Sequence, residues 1–466
     1  MFAVLNYPAF DFRAKPLCVV IQVTSKQNAS DTIARSIRSS AGERGGMRAF
    51  VVRPQAVNRP LFMEGDMLKR LMLTTATMAL LAGGTQAQQL GDIFVISMEN
   101  HNFTQPASQT SPNQLFGNPA APFQNSLITP GNPNAAQVSY ASNYQNAGAG
   151  IHPSLPNYIW SEAGSNLGVT NDNPPFGSGG NNQNTTQHLS GLLQSQGTTW
   201  TSYQEDIDLA TNGSGQMTST VLPKNQWTVP LTPLSGTSPA YINQYNASNQ
   251  FDYAPKHNPQ VYFTDTNGGN NTTPSNPQSQ HYAPLQQLLT DLSNNTVSKY
   301  NWITPDQFND SHSALANGFT YNGVHYTGDQ AAIAQGDNFL SIIVPQIEAS
   351  QAYKNNGAII IWWDETEGGD DPSRKLEEIV ISPLAKGNAY TNNIFYTHSS
   401  DLLTMEELFG LGCVGGSCGA NDLSDLFKPG AIPSAVPEPS TWAMVLLGFA
   451  GLGLAFRQSR RKISMA

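Results

Sequence analysis

Three short stretches carry residue types that together could do chemistry. In Gly150-Ile-His-Pro-Ser-Leu-Pro-Asn-Tyr-Ile-Trp-Ser-Glu-Ala-Gly164, Ser154 stands between Pro153 and Pro156. Proline pre-sets φ near the helical value and lacks an N–H, which a first helical turn can spare. Ser154 therefore marks the entry to a predicted helix. It is either the N-cap or a nucleophile beside free N–H groups that cradle an anion. The second stretch, Asp92-Ile-Phe-Val-Ile-Ser-Met-Glu-Asn100, and the third, Gly357-Ala-Ile-Ile-Ile-Trp-Trp-Asp-Glu365, both end in acids or amides. If their ends converge, Glu99, Asn100, Asp364 and Glu365 become hard oxygen ligands. Gathered carboxylates repel one another unless a divalent cation sits among them. A hydroxyl beside that cation, Ser154, can lose its proton and attack.

The elements that must deliver these groups are legible from pattern. Both acid-ending runs are short, apolar and rich in β-branched or aromatic residues, as strands buried on both faces of a parallel sheet are. Ligands in open α/β sheets gather at the carboxyl ends of such strands. Further strands are expected at Thr199 to Glu205, Tyr300 to Ile303 and Glu378 to Pro383, and another apolar strand after His257. Helical spacing covers His188 to Leu193, Ala283 to Leu292 and Gly328 to Tyr353, with Pro345 marking a kink or break. Alternating strands and helices predict an α/β fold, a mostly parallel sheet flanked by helices on both faces, with long loop insertions. Residues 104–150 read as a long loop over the site, and 207–250 as an insertion with few apolar anchors.

Ile96-Ser-Met-Glu-Asn-His-Asn-Phe103, His152-Pro-Ser-Leu-Pro-Asn-Tyr158 and Ile361-Trp-Trp-Asp-Glu365 resemble, in order, the three signature segments of the bacterial phosphoesterase family. That family holds acid phosphatases and phospholipases C and belongs to the alkaline phosphatase superfamily. The resemblance runs from about Asp92 to about Leu411. It implies an alkaline-phosphatase-like fold, with Ser154 as nucleophile and metal ligand and Glu99, Asn100, Asp364 and Glu365 as the remaining ligands. One divalent metal is expected, with room in the superfamily pattern for a second. Lys256-His-Asn-Pro259 also matches, which makes His257 a candidate phosphate contact. His312 follows Asp306 and Asp310 after a strand. It either holds phosphate, protonates the leaving group or caps a surface turn. His398, before a helix that Ser399 or Ser400 caps, either takes a second metal, positions phosphate or merely precedes the helix.

The implied activity is hydrolysis of a phosphate ester through a phosphoserine, most like an acid-phosphatase phosphomonoesterase. A phospholipase C-type phosphodiesterase is the alternative. A non-catalytic matrix or surface-binding protein is the reading from another class. Charged residues are only 12% of the chain and the net charge is −10, which excludes nucleic acid as an electrostatic partner.

The ends carry targeting patterns. Lys69 and Arg70 precede an apolar run from Leu71 to Leu81 and a small-residue site at Thr85-Gln86-Ala87, the layout of a signal peptide over 67–87 cut by signal peptidase. Translation is then expected to start at Met67, leaving 1–66 as a gene-model extension or a leader. The catalytic domain spans 88–430. Cys413 and Cys418 are expected to pair in an exported protein. At 436–462, Val-Pro-Glu-Pro, a short apolar run and an arginine tail resemble the PEP-CTERM sorting signal. That resemblance implies a short transmembrane helix, transient inner-membrane association, processing by an exosortase-type enzyme and release to the surface or beyond. A permanent anchor is the alternative.

Overall fold

In a computed structural model, residues 88–433 are described, together with 448 and 449. The expectations for 1–66, for the signal peptide at 67–87 and, apart from 448 and 449, for the sorting segment at 436–462 lie outside the described residues. Among the described residues, no helix is long and apolar enough to cross a membrane.

An eight-stranded sheet forms the centre. Its strands in chain order are β1 (Ile93–Met98), β2 (Val138–Tyr144), β3 (Trp200–Gln204), β4 (Tyr282–Pro284), β5 (Tyr300–Thr304), β6 (Ala358–Trp363), β7 (Leu376–Ile381) and β8 (Tyr390–Asn392). Across the sheet they run β8-β2-β7-β6-β1-β5-β3-β4. Only β7 runs antiparallel to its neighbours, β6 and β2; the other pairings are parallel. Every residue of β1 and β6 is buried, as their continuous apolar runs require.

The helices named here are α1 (Pro122–Leu127), α2 (Ser154–Ala163), α3 (Leu189–Ser195), α4 (Gln286–Asn294), α5 (Asp329–Ala349) and α6 (His398–Phe409). The helix α2 packs against α3 and α6, and α1 packs against α5; since alternate residues of β1 and β6 point to opposite faces and all are buried, the sheet is covered on both. The crossover from β5 through α5 to β6 steps over β1 and keeps all three strands parallel.

Four expectations need correction. Residues 104–150 are not one loop: they contain α1 and β2, which sits inside the sheet between β7 and β8. The sequence Val-Ser-Tyr-Ala-Ser-Asn-Tyr hides this strand because serine and asparagine interrupt its apolar residues, yet Val138, Ser139, Ala141 and Tyr144 are buried. The helix α5 does not stop at Pro345 but continues to Ala349, four residues further. Val261 and Tyr262 belong to a 3-10 turn, Pro259–Tyr262, rather than a strand. Thr397, not a serine, caps α6: its hydroxyl accepts from Ser399 N–H, and Ser400 Oγ accepts from Thr397 N–H.

The expected insertion at 207–250 folds as small hairpins over a satellite cluster of Leu209, Tyr241 and Phe251. Cys413 and Cys418 form a disulfide. Their loop meets the far end of α2 backbone to backbone: Gly416 N–H donates to Gly164 O at 2.7 Å. A Cβ on Gly164 would lie 2.4 Å from Val414 O, and one on Gly415 would lie 2.5 Å from Ala163 O. Only glycines permit this approach.

Candidate active site

Strand register brings the acids together. Met98 pairs with Trp363 across β1 and β6, so Glu99 and Asp364 leave the sheet side by side. Asn100 follows with φ +50°, a left-handed conformation asparagine tolerates, and its N–H donates to Asp364 Oδ1 at 3.0 Å. Asp310 comes from the segment after β5, and its carbonyl accepts Glu99 N–H at 2.8 Å. Glu99, Asp310 and Asp364 are all fully buried.

The helix α2 starts at Ser154 itself. Pro153 occupies the cap position without a side-chain hydrogen bond, so the hydroxyl is not spent as a cap. Instead Ser154 Oγ donates to Glu99 Oε2 at 3.0 Å. One turn later, Tyr158 OH donates to Glu99 Oε1 at 2.5 Å. The cradle at the helix N-terminus is partly filled: Leu155 N–H donates to Asp172 Oδ1 at 3.0 Å. The other oxygen of Asp172 lies 3.3 Å from Lys256 Nζ.

Electrostatics mark the cluster as unfinished. Burial, then the charges of Asp364 and Asp310, pushes Glu99 well above the usual carboxylate range. Burial and then Glu365 push Asp364 up to about 7. Burial also raises Asp310. Asn100 Oδ1, Asp364 Oδ2 and Asp310 Oδ2 are buried oxygens without a hydrogen-bond partner. Buried polar atoms are normally satisfied; Asp310 Oδ2 faces His257 Nδ1 at 3.1 Å, while Asn100 Oδ1 and Asp364 Oδ2 are hard oxygen donors of the type a divalent cation takes.

Glu365 sits one residue beyond Asp364, and its carboxylate is engaged elsewhere. His152 Nδ1 bonds its Oε2, and Asn157 Nδ2 donates to the same oxygen at 3.2 Å. His152 Nε2 is 2.8 Å from Asp370 Oδ1. Together these bonds push His152 up to about 9, the Glu365 hydrogen bond contributing most.

His257 does not face an open phosphate position. It is 1% exposed, with Nε2 3.2 Å from Glu99 Oε1 and Nδ1 3.1 Å from Asp310 Oδ2. Nε2 and Asp310 Oδ2 are out of hydrogen-bond alignment. Burial, and then the Lys256 and His312 charges, hold the imidazole well below its ordinary value. The ring stacks on Tyr158, centroids 5.2 Å apart. It is better placed to hold two carboxylates apart than to touch substrate.

His312 lies nearer the surface, its ring 5.9 Å from that of His257. Its Nδ1 is 3.0 Å from Ser313 Oγ, and burial and then Lys256 lower it to about 4. Both ring nitrogens of His398 are engaged: Nδ1 meets Tyr144 OH at 2.7 Å and Nε2 meets the Asp364 carbonyl. Asp306 belongs to a separate buried cluster with Glu205 and Asp206. Its own N–H donates to Glu205 Oε2 at 2.9 Å.

The structure thus brings Glu99, Asn100, Ser154 and Asp364 into one group, with Glu365 alongside. Sequence reasoning missed Tyr158 and His152 as partners of the acids and left Asp310 open. Tyr158 and His152 lay inside the same quoted motif as Ser154, which was the available signal.

Comparison with known proteins gives the family. The family model described as Phosphoesterase family matches residues 143–412, and the PEP-CTERM protein-sorting motif matches 435–462. A phosphatidylinositol-3-phosphatase of Mycobacterium tuberculosis is 26% identical over 313 residues, 67% of this chain and 78% of that protein. A phosphate-repressible acid phosphatase of Penicillium chrysogenum is 25% identical over 274 residues, 58% of this chain; the match spans only 52% of the fungal protein. A solved structure from Vibrio parahaemolyticus, of a protein in the alkaline phosphatase superfamily, aligns with a TM-score of 0.40 at 10% identity over 73% of each chain. The family match takes in Ser154, Asp364 and Glu365 and covers more than half of the 466 residues. The chain belongs to the Phosphoesterase family and is a hydrolase acting on phosphoric ester bonds.

Proposed function

We propose that this protein is an exported, metal-dependent phosphomonoesterase of the acid-phosphatase type, working through a phosphoserine at Ser154. The observation that carries the reading is the Ser154 hydroxyl, at the first position of α2, donating to a buried carboxylate 3.0 Å away. Glu99 accepts the hydrogen bond from the Ser154 hydroxyl and so orients that oxygen for attack. Ser154 Oγ attacks phosphorus, the bond to the ester oxygen breaks, and the alcohol departs. Water then attacks the phosphoserine, releasing phosphate and restoring the hydroxyl. Lys256 is the cation next to this acidic group and balances charge that builds on the phosphoryl oxygens. His312, which stands nearer the surface, is the candidate contact to a phosphoryl oxygen.

Glu99, Asn100, Ser154 and Asp364 would hold the metal, with Glu365 beside them and Asp310 behind. When bound, a divalent cation supplies Lewis-acid stabilisation of a phosphoryl oxygen and lowers the serine pKa. The printed activities of the two relatives, both phosphatases, favour a monoester over the phospholipase C alternative. Export rests on the sorting motif and on the disulfide, which belongs to an oxidising compartment. Signal peptidase and an exosortase-type enzyme would process the ends.

Ser154→Ala should abolish turnover of p-nitrophenyl phosphate while the fold survives, as read by circular dichroism. Substantial remaining turnover would remove Ser154 from the nucleophile role. Equal metal content and no turnover in the wild type would favour the non-catalytic matrix reading.

A further inference from the structure

A cleft of about 240 Å³ adjoins the site. One wall is the segment 145–149, which leads directly into the Ser154 turn. The opposite wall is the loop from Thr366, the residue after Glu365, to Arg374. The walls are tied to the catalytic group: Gly150 N–H donates to Asp370 Oδ2 at 2.7 Å, and Asp370 also meets His152. Asn146 Oδ1 accepts Thr366 N–H at 2.9 Å. The cleft is therefore joined to the Ser154 turn and to Glu365 by chain continuity and by these hydrogen bonds.

Its lining is neither an acyl tunnel nor an anion pocket. Phe395 lies at the rim, 52% exposed, and Pro372 adds a second apolar patch. Around them, hydrogen-bonding groups of both kinds are left over. Arg374 donates from Nε to Gln109 and from Nη1 to the Gly369 carbonyl, leaving Nη2 spare. Arg374 forms no ion pair among the described residues. Asp371 uses Oδ1 on Ser373 and keeps Oδ2. Gln145 donates its amide to Asn143 and keeps its carbonyl oxygen.

A puckered saturated ring that turns C–H bonds to one face and carries hydroxyls around its edge answers this lining. The C–H face lies on the phenyl ring, and each hydroxyl both donates and accepts. The volume, below the roughly 300–1,000 Å³ of sites for drug-sized ligands, admits one such ring rather than lipid chains. We propose that this cleft receives the alcohol portion of the substrate, and that this portion is a polyhydroxylated ring, a sugar or cyclitol. The proposal rests on the phosphomonoesterase reading above and names the substrate class of that site.

The test compares myo-inositol 1-phosphate and glucose 6-phosphate with cyclohexyl phosphate, with p-nitrophenyl phosphate reporting the reaction itself. The expected result is a kcat/KM at least about tenfold higher for a hydroxylated ring than for cyclohexyl phosphate, since a site built to bond hydroxyls rejects a ring that lacks them. Which of the two is preferred separates cyclitol from sugar. Phe395→Ala and Asp371→Asn should each shrink that ratio, and retained melting temperatures exclude misfolding as the cause. Equal or better cleavage of cyclohexyl phosphate overturns the proposal. If p-nitrophenyl phosphate is not cleaved either, the Ser154 reading has failed. The cleft is then judged by calorimetric binding of inositol 1-phosphate against cyclohexyl phosphate, and equal binding overturns it.

Discussion

Tyr158 shows how a single hydroxyl can govern the site. It holds one oxygen of Glu99 while Ser154 holds the other, so both faces of that carboxylate are fixed by one turn of one helix. Tyr158→Phe removes a donor from a buried charged acceptor, which costs about 1–3 kcal/mol. We expect a lower melting temperature together with weaker metal binding, measured by thermal melts and metal titration. An unchanged metal affinity would assign Tyr158 to packing alone. At this scale, the sequence exposed the residues that end strands or open a helix. Glu99, Asn100, Ser154 and Asp364 were legible because their motifs interrupt apolar runs. Asp310 was harder, because its link to Glu99 spans more than two hundred residues and has no local pattern. For His257 the motif was visible, but its burial between two carboxylates was not.

Among the elements, β1 and β6 were readable as buried parallel strands, and α5 as a long helix, because apolar periodicity is strongest where burial is complete. The strand β2 escaped because its buried face includes serine and its neighbours are polar. The Glu205–Asp206–Asp306 cluster at the ends of β3 and β5 was equally hidden. It is satisfied internally: Asn243 and Asn309 donate to Glu205, and Tyr241 donates to Asp206 at 2.5 Å. Burial and then Asp206 push Glu205 up to about 8. A carboxyl raised in the fold contributes stability that is fully present below its unfolded value and lost as pH rises through the folded one. Stability should therefore decline between about pH 5 and pH 8, with a slope of at most about 1.4 kcal/mol per pH unit for this one proton. Glu205→Gln should flatten the slope in denaturant melts across that range, even while the amide costs stability at pH 5. A slope identical to wild type would mean that Glu205 does not titrate there.

For the whole molecule, the orphaned oxygens near Ser154 link metal, pH and folding. In metal-free protein, Glu99 is raised and Asp364 stands at about 7, so their stabilising contribution is lost as pH rises from below 5 to above 7. A bound cation reverses that penalty by favouring the ionised forms. Chelation should lower the melting temperature more at pH 7.5 than at pH 5. Returning a divalent metal at a hundredfold excess over its Kd should restore about 2.7 kcal/mol. Equal melts with and without chelator at pH 7.5 would argue against a metal at this site.

The glycine contact at the tail of α2 has a reach beyond its own neighbourhood. A rod that is pinned at one end transmits any push there to the other, and Ser154, bonded to Glu99, stands at that other end. Gly164→Ala would wedge the pinned end away from the disulfide loop and swing the tip, so a methyl group ten residues off could misaim the hydroxyl without touching a single acid.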